Sequence, residues 1–103
     1  MALKHAIPGE VVNLNRMYGK MTVAIVKNKQ FEIIHLIVKP NKPISVHSLE
    51  SPINIRCLEG KRTFFVKNQP HELTPGFWLY LDDMVKHRVE AQETSKLLLT
   101  VLF

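Results

Sequence analysis

From residue 53 the chain alternates: Ile53, Ile55 and Cys57 fall on one face and Asn54 and Arg56 on the other, the period of a half-buried strand. Gly60 ends that run, and after Lys61 the β-prone stretch 62–67 begins another. Asn68-Gln69-Pro70 predicts a turn toward His71-Glu72-Leu73. Upstream, residues 21–27 and 31–38 are rich in β-branched residues and are separated by Asn28-Lys29-Gln30, which reads as a hairpin. Pro40 and Pro43 remove backbone donors and break the chain, after which 44–48 supplies a further short strand. Thr74-Pro75-Gly76 is a turn, with proline presetting one φ and glycine free to take a positive one. A wholly apolar strand over 77–81 follows, then the tight Asp82-Asp83, a strand over 85–91, the polar Gln92-Glu93-Thr94-Ser95, and a closing strand over 96–103 expected to be buried on both sides.

About eight or nine short strands at close spacing, with no window of helical periodicity, is the pattern of an all-β sandwich or barrel. At 103 residues the chain has room for one core, and its 46% hydrophobic and 22% charged residues suit a folded globule. We expect one domain: an N-terminal arm or edge strand over 1–19 and the barrel over 20–103. The start of the chain carries no apolar run of signal-peptide length, and no later run reaches membrane-spanning length, so the expected location is the cytoplasm without membrane association. The lone Cys57 agrees: it has no intramolecular partner and sits in an apolar alternation, the setting of a buried inert thiol.

The charge of +5 and pI near 9.6 favour anionic partners. The fourteen Lys and Arg residues are scattered and form no block, and no basic stripe or aromatic platform accompanies them. Nucleic acid is therefore not expected, whereas a small anionic molecule is. There is no Gly-x-Ser-x-Gly elbow, no phosphate-cradling glycine loop and no Cys-x-x-Cys pair, and adjacent acids such as Asp82-Asp83 are usually turn residues.

Two stretches carry a resemblance. His47 followed by Leu58-Glu59-Gly60, and then Pro75-Gly76, an apolar strand, a tight loop and His87 eleven residues after Gly76, resemble the paired motifs of the cupin superfamily. The resemblance implies a single-domain jelly-roll barrel, the double-stranded β-helix. Metal-binding members hold their ion with two histidines and a carboxylate or amide from the first motif and one histidine from the second. Here Leu49 and the neighbourhood of Pro52 stand at two of those four positions, Asp82 stands where a proline is usual, and Met84 where a glycine is usual.

The resemblance places His47 and His87 across the barrel mouth from one another, a beginning for a Zn, Fe, Mn or Ni site. Such a site needs a third ligand, with Glu50 the nearest in sequence and His35 and His71 the alternatives. Without one, the two histidines simply hydrogen-bond to backbone or water. A metal-free pocket at the barrel end is the other arrangement, lined by Leu49, Phe64, Trp78, Tyr80 and Met84 with His47, His87 and Arg56 as polar points. Only one of Trp78 and Tyr80 is expected to face it, and the competing reading is that the aromatics fill the core. Two functions follow. One is a small-molecule-binding cupin domain without catalysis, its ligand held near His47 and His87; the other is a metal-dependent oxygenase or isomerase. An edge left open near Val11-Val12 or along 21–26 would favour a homodimer.

Overall fold

The computed structural model describes residues 5–14, 22–40, 42, 44–47 (backbone only) and 50–103. Among the described residues nine strands form: β1 (Val23–Lys27), β2 (Phe31–Val38), β3 (Ile44–His47), β4 (Ile53–Glu59), β5 (Arg62–Val66), β6 (Gln69–Leu73), β7 (Trp78–Leu81), β8 (His87–Ala91) and β9 (Ser95–Leu102). They make two antiparallel sheets, one ordered β1-β2-β9-β4-β7 and the other β3-β8-β5-β6. No helix among the described residues is long and apolar enough to cross a membrane.

Side-chain alternation dictates which face of each strand meets the other sheet. On β4 the residues Ile53, Ile55 and Cys57 are buried while Arg56 is exposed. The register carries this phase across the larger sheet: Cys57 lies beside Leu97, and Leu97 beside Leu36. From the smaller sheet Phe64, Leu73 and Val89 meet that layer, and Leu81 and Val38 complete the buried cluster. β9 runs between β2 and β4. Its inner residue Leu97 is fully buried, but its outer residues Lys96, Leu98 and Thr100 are only half-covered, so the closing strand is buried on one face and not on both.

Turn chemistry departs from expectation in one place. The β5–β6 turn is the two-residue Lys67-Asn68, with φ of 50° and 68°, and Gln69 and Pro70 already pair with Val66 and Phe65. Both residues at positive φ is the hairpin geometry whose twist matches the flanking strands. Pro70 is tolerated in a strand because β6 is a sheet edge, where its missing N–H breaks no ladder. The Pro75-Gly76 turn forms as expected, with Phe77 N donating to Thr74 O at 3.0 Å and Gly76 at φ 93°. Strand β8 starts at His87, two residues later than the pattern suggested. The described part of the N-terminal segment, 5–14, forms no strand and is an arm tied to the edge of β1 by Ala6 N donating to Ile25 O at 2.8 Å.

Two residues at the β4–β5 end are tightly constrained. Ser95 is fully buried, its hydroxyl within 2.9 Å of Glu93 O and 3.3 Å of Lys61 O. Gly60, at φ 89°, has no room for a Cβ, which would run into Ser95 Oγ and lie 2.8 Å from Thr94 O. Arg62 beside it is fully buried, donates through Nη2 to Glu59 O at 2.7 Å, and leaves Nε and Nη1 without a partner. Among the described residues no carboxylate forms an ion pair with this buried guanidinium, an arrangement that costs stability.

Gly60 and Gly76 share a left-handed backbone but not their surroundings, since nothing lies within 4 Å of a Cβ at Gly76. Gly76→Ala is expected to lower unfolding free energy by about 1 kcal/mol, the conformational cost alone. Gly60→Ala adds the collision with Ser95 and should lose about 2 kcal/mol or more. Urea midpoints of the two variants check the order, and an equal loss would mean that the Gly60–Ser95 contact does not constrain the fold.

Candidate ligand site

His87 is the anchor of the site. It begins β8 on the inward-facing phase, is 6% exposed, and pairs in register with Val66 of β5 on one side and His47 of β3 on the other. Its Nδ1 lies 3.0 Å from Val85 O. A carbonyl oxygen only accepts, so Nδ1 carries the proton and Nε2 holds the lone pair in the neutral ring. The imidazole stacks on Phe64, with centroids 5.7 Å apart and planes 18° from parallel. Phe64 thus belongs to the core and orients His87.

A cavity of about 430 Å³ opens beside His87, where the β5–β6 turn meets the start of β8. Lys67 N donates to Lys86 O at 3.1 Å and stitches the two segments together. The walls bring in Phe65, Lys67, Met84, Lys86 and Arg88. The Arg88 guanidinium rests 3.9 Å above the Phe65 ring and reaches Glu90 at 3.6 Å. Lys67 and Lys86 have no ion-pair partner among the described residues, and no carboxylate lines the cavity there. Two unpaired lysines, with Arg88 shared between Phe65 and Glu90, create a positive local potential at the cavity. Met84 stands at φ 63°, an unfavourable setting for a residue with a Cβ, and this strained turn aims it into the cavity wall.

The structure therefore brings together His87 and Met84 of the residues the sequence suggested, and pairs His87 with His47 along the backbone. The His47 side chain and Leu49 lie outside the described residues. Glu50 is exposed in a bend. Arg56, Trp78 and Tyr80 are not in this group: they project from the outer face of the larger sheet, because their phase is opposite to that of Ile55, Leu79 and Leu81. Trp78 and Tyr80 are two residues apart, so both point the same way and not to opposite faces. They are 60% and 50% exposed and stack with centroids 6.4 Å apart. Lys67, Lys86 and Arg88 were missed because their convergence depends on the pairing of a turn with a distant loop. The one available signal was the excess of basic residues.

His35 and His71 do not approach His87 as third ligands. His71 is exposed on the edge strand β6, and His35 is buried on the outer face of the larger sheet, in register with Leu98. Among the described residues no three of His, Cys, Asp and Glu converge as a metal site. The described residues alone do not fit a metal centre.

No family model matches the chain, and no curated protein matches it in sequence. Solved structures do. A cupin superfamily protein from Desulfitobacterium hafniense superposes with a TM-score of 0.85 at 15% identity, covering 100% of this chain and 99% of that one. The chain has the cupin fold. An RmlC-like cupin family protein with a double-stranded β-helix fold from Methanocaldococcus jannaschii gives 0.77 at 17% identity over 94% of this chain and 93% of that one. A conserved protein of unknown function from Streptococcus pyogenes gives 0.80 at 15% identity over 99% and 94%.

Burial, and then the Lys96 ammonium, hold the His35 imidazole below its ordinary pKa of 6.5, with Glu59 pulling the other way. The unfolded chain thus takes up a proton at His35 at a higher pH than the folded one does. The stability this group contributes is complete above the unfolded value and is lost as pH falls through the folded one. Urea midpoints are expected to decline as the pH falls below the ordinary histidine value of 6.5, and His35→Leu should flatten part of that slope. An unchanged slope in the variant would remove His35 as its source.

Proposed function

We propose that this cupin-fold chain is a small-molecule-binding protein whose ligand is an anion seated against His87. The observation that carries the reading is the cavity beside His87, with Lys67, Lys86 and Arg88 in its walls and no carboxylate among them. Its size suits a small organic or phosphate-bearing molecule, and pockets of this kind combine apolar walls with a few placed polar groups. Phe65 and Met84 are those walls, and the His87 ring borders them. The ligand's negative charge would be met by exposed, flexible lysines, so affinity should depend on salt.

Calorimetric titration of the full chain with inorganic phosphate and with citrate tests this. Saturable binding by either, weakened about tenfold by Lys86→Gln through loss of one charge-assisted contact and weakened further at high salt, is the expected result. Binding that Lys86→Gln and Lys67→Gln both leave intact would move the ligand elsewhere.

A second reading, a metal-dependent cupin enzyme of oxygenase or isomerase type, rests on the register pairing of His47 with His87 and on the Val85 carbonyl that fixes the His87 tautomer, as outer-shell partners of metal-bound histidines do. It requires a third ligand such as Glu50. Elemental analysis of protein purified without chelator decides it: near one Zn, Fe, Mn or Ni per chain, lost in His47→Ala, would replace the first reading.

We also infer a homodimer. Its support is the edge of β1 beyond the Ala6–Ile25 contact, together with Val11 at 93% exposure and Ile7 at 55%. Sedimentation at micromolar concentration should give twice the chain mass, and a monomer mass would overturn this inference.

A further inference from the structure

The outer face of the five-stranded sheet holds a cavity of about 340 Å³ that is separate from the barrel. Its walls come from distant parts of the chain: His35 on β2, Arg56 and Glu59 on β4, Lys96 on β9, Pro75 before β7 and Leu14 of the N-terminal arm.

The register explains the meeting. His35 pairs with Leu98, Leu98 with Arg56, and Arg56 with Trp78, so one row of outward side chains crosses four strands. His35 and Arg56 stand two strand spacings apart, about 10 Å between backbones. The row above carries Lys96 beside Glu59, and these two close an ion pair at 3.3 Å.

Two groups in this wall lack what their chemistry requires. His35 is 1% exposed, yet its Nε2 has no hydrogen-bond partner. A buried polar atom in that state is destabilising, and native structures usually supply a partner for it. Arg56 is exposed and has no ion-pair partner among the described residues, whereas the neighbouring Lys96 is satisfied by Glu59. The cavity thus presents a planar cationic fork at one side, the edge of the His35 ring at the other with its unpartnered nitrogen buried behind it, and the apolar Leu14, Leu58 and Pro75 in its walls.

We propose that this cavity binds a small organic carboxylate, its carboxylate held by the Arg56 guanidinium and its body lying against the His35 ring and the apolar wall. Arginine suits this role because its parallel N–H groups match a carboxylate in a bidentate contact that a lysine cannot form. Burial, and then Lys96, hold the His35 imidazole below its ordinary pKa against the pull of Glu59, so the charge that meets the carboxylate is that of Arg56. The Glu59 carboxylate, already engaged with Lys96, limits the net charge of the wall and disfavours polyanions over a monocarboxylate. This site shares no residue with the cavity beside His87.

The test is titration of the isotope-labelled full chain with 4-hydroxybenzoate, followed by the side-chain 15N resonances of His35 and the backbone amides of Arg56 and Lys96. Saturable shifts at all three are expected, with affinity reduced about tenfold or more in Arg56→Gln, an exposed substitution that leaves the core untouched. His35→Gln should weaken binding as well, and its amide spectrum reports separately whether the variant is folded. Lys86→Gln, in the other cavity, should leave the affinity unchanged. The proposal is overturned if His35 does not shift, or if Arg56→Gln binds as tightly as the parent chain. Binding abolished by Lys86→Gln alone would assign the probe to the His87 cavity, overturning this site while supporting the other.

Discussion

The structure depends on the insertion of β9 between β2 and β4. Without that strand the larger sheet would separate into the β1–β2 hairpin and the β4–β7 pair, each too small to hold a hydrophobic face against water. With it, eight residues of β2 and six of β4 find partners on one central strand, and Leu97 becomes fully buried. The closure is non-local, because the last strand must lie beside one formed sixty residues earlier. The entropy of that loop closure is offset only when the two sheets pack together. The Gly60–Ser95 contact sits at the start of β9, where a Cβ on Gly60 would push the strand away from the β4–β5 turn.

Pairing and alternation together sort the charged residues into two environments. On the smaller sheet, the inward phase of β8 brings His87 to the barrel end while the outward phase lays Arg88 on Phe65. On the larger sheet, the phase that buries Ile55 and Leu97 sends Arg56, Lys96 and His35 to the opposite face. His35 is nonetheless buried there, which makes the outer face of this sheet more than a solvated surface. Two cavities, one by each sheet, result from the same two-residue period.

Backbone strain is concentrated beside His87. Lys67, Asn68 and Met84 all adopt positive φ, and all three line the cavity there. A glycine at Met84 would relieve the turn but would remove an apolar wall. That the chain holds a methionine in this conformation is the kind of local cost found where a surface is shaped for contact.

Most of the fold was legible in the sequence because strand period and turn residues are local properties. The alternation of Ile53, Ile55 and Cys57, the Pro75-Gly76 turn and the spacing from Gly76 to His87 were enough to name an all-β cupin barrel, although the β5–β6 turn fell one residue earlier than its polar residues suggested. The sites were less legible. Trp78 and Tyr80, two residues apart, share one face and do not point to opposite ones, and Arg56, which the alternation sets opposite Ile55, lies outside the barrel and not among the polar points of its pocket, because the closure of the two sheets covers only the Ile55 side. The convergence of Lys67 with Lys86, and of His35 with Arg56, was decided only by tertiary structure, since each pair is brought together by hydrogen bonds between strands or turns far apart in the chain. The sequence by itself determined where the chain extends and turns; the packing of two sheets decided which side chains met, because a contact between distant residues depends on register and closure and leaves no periodic trace.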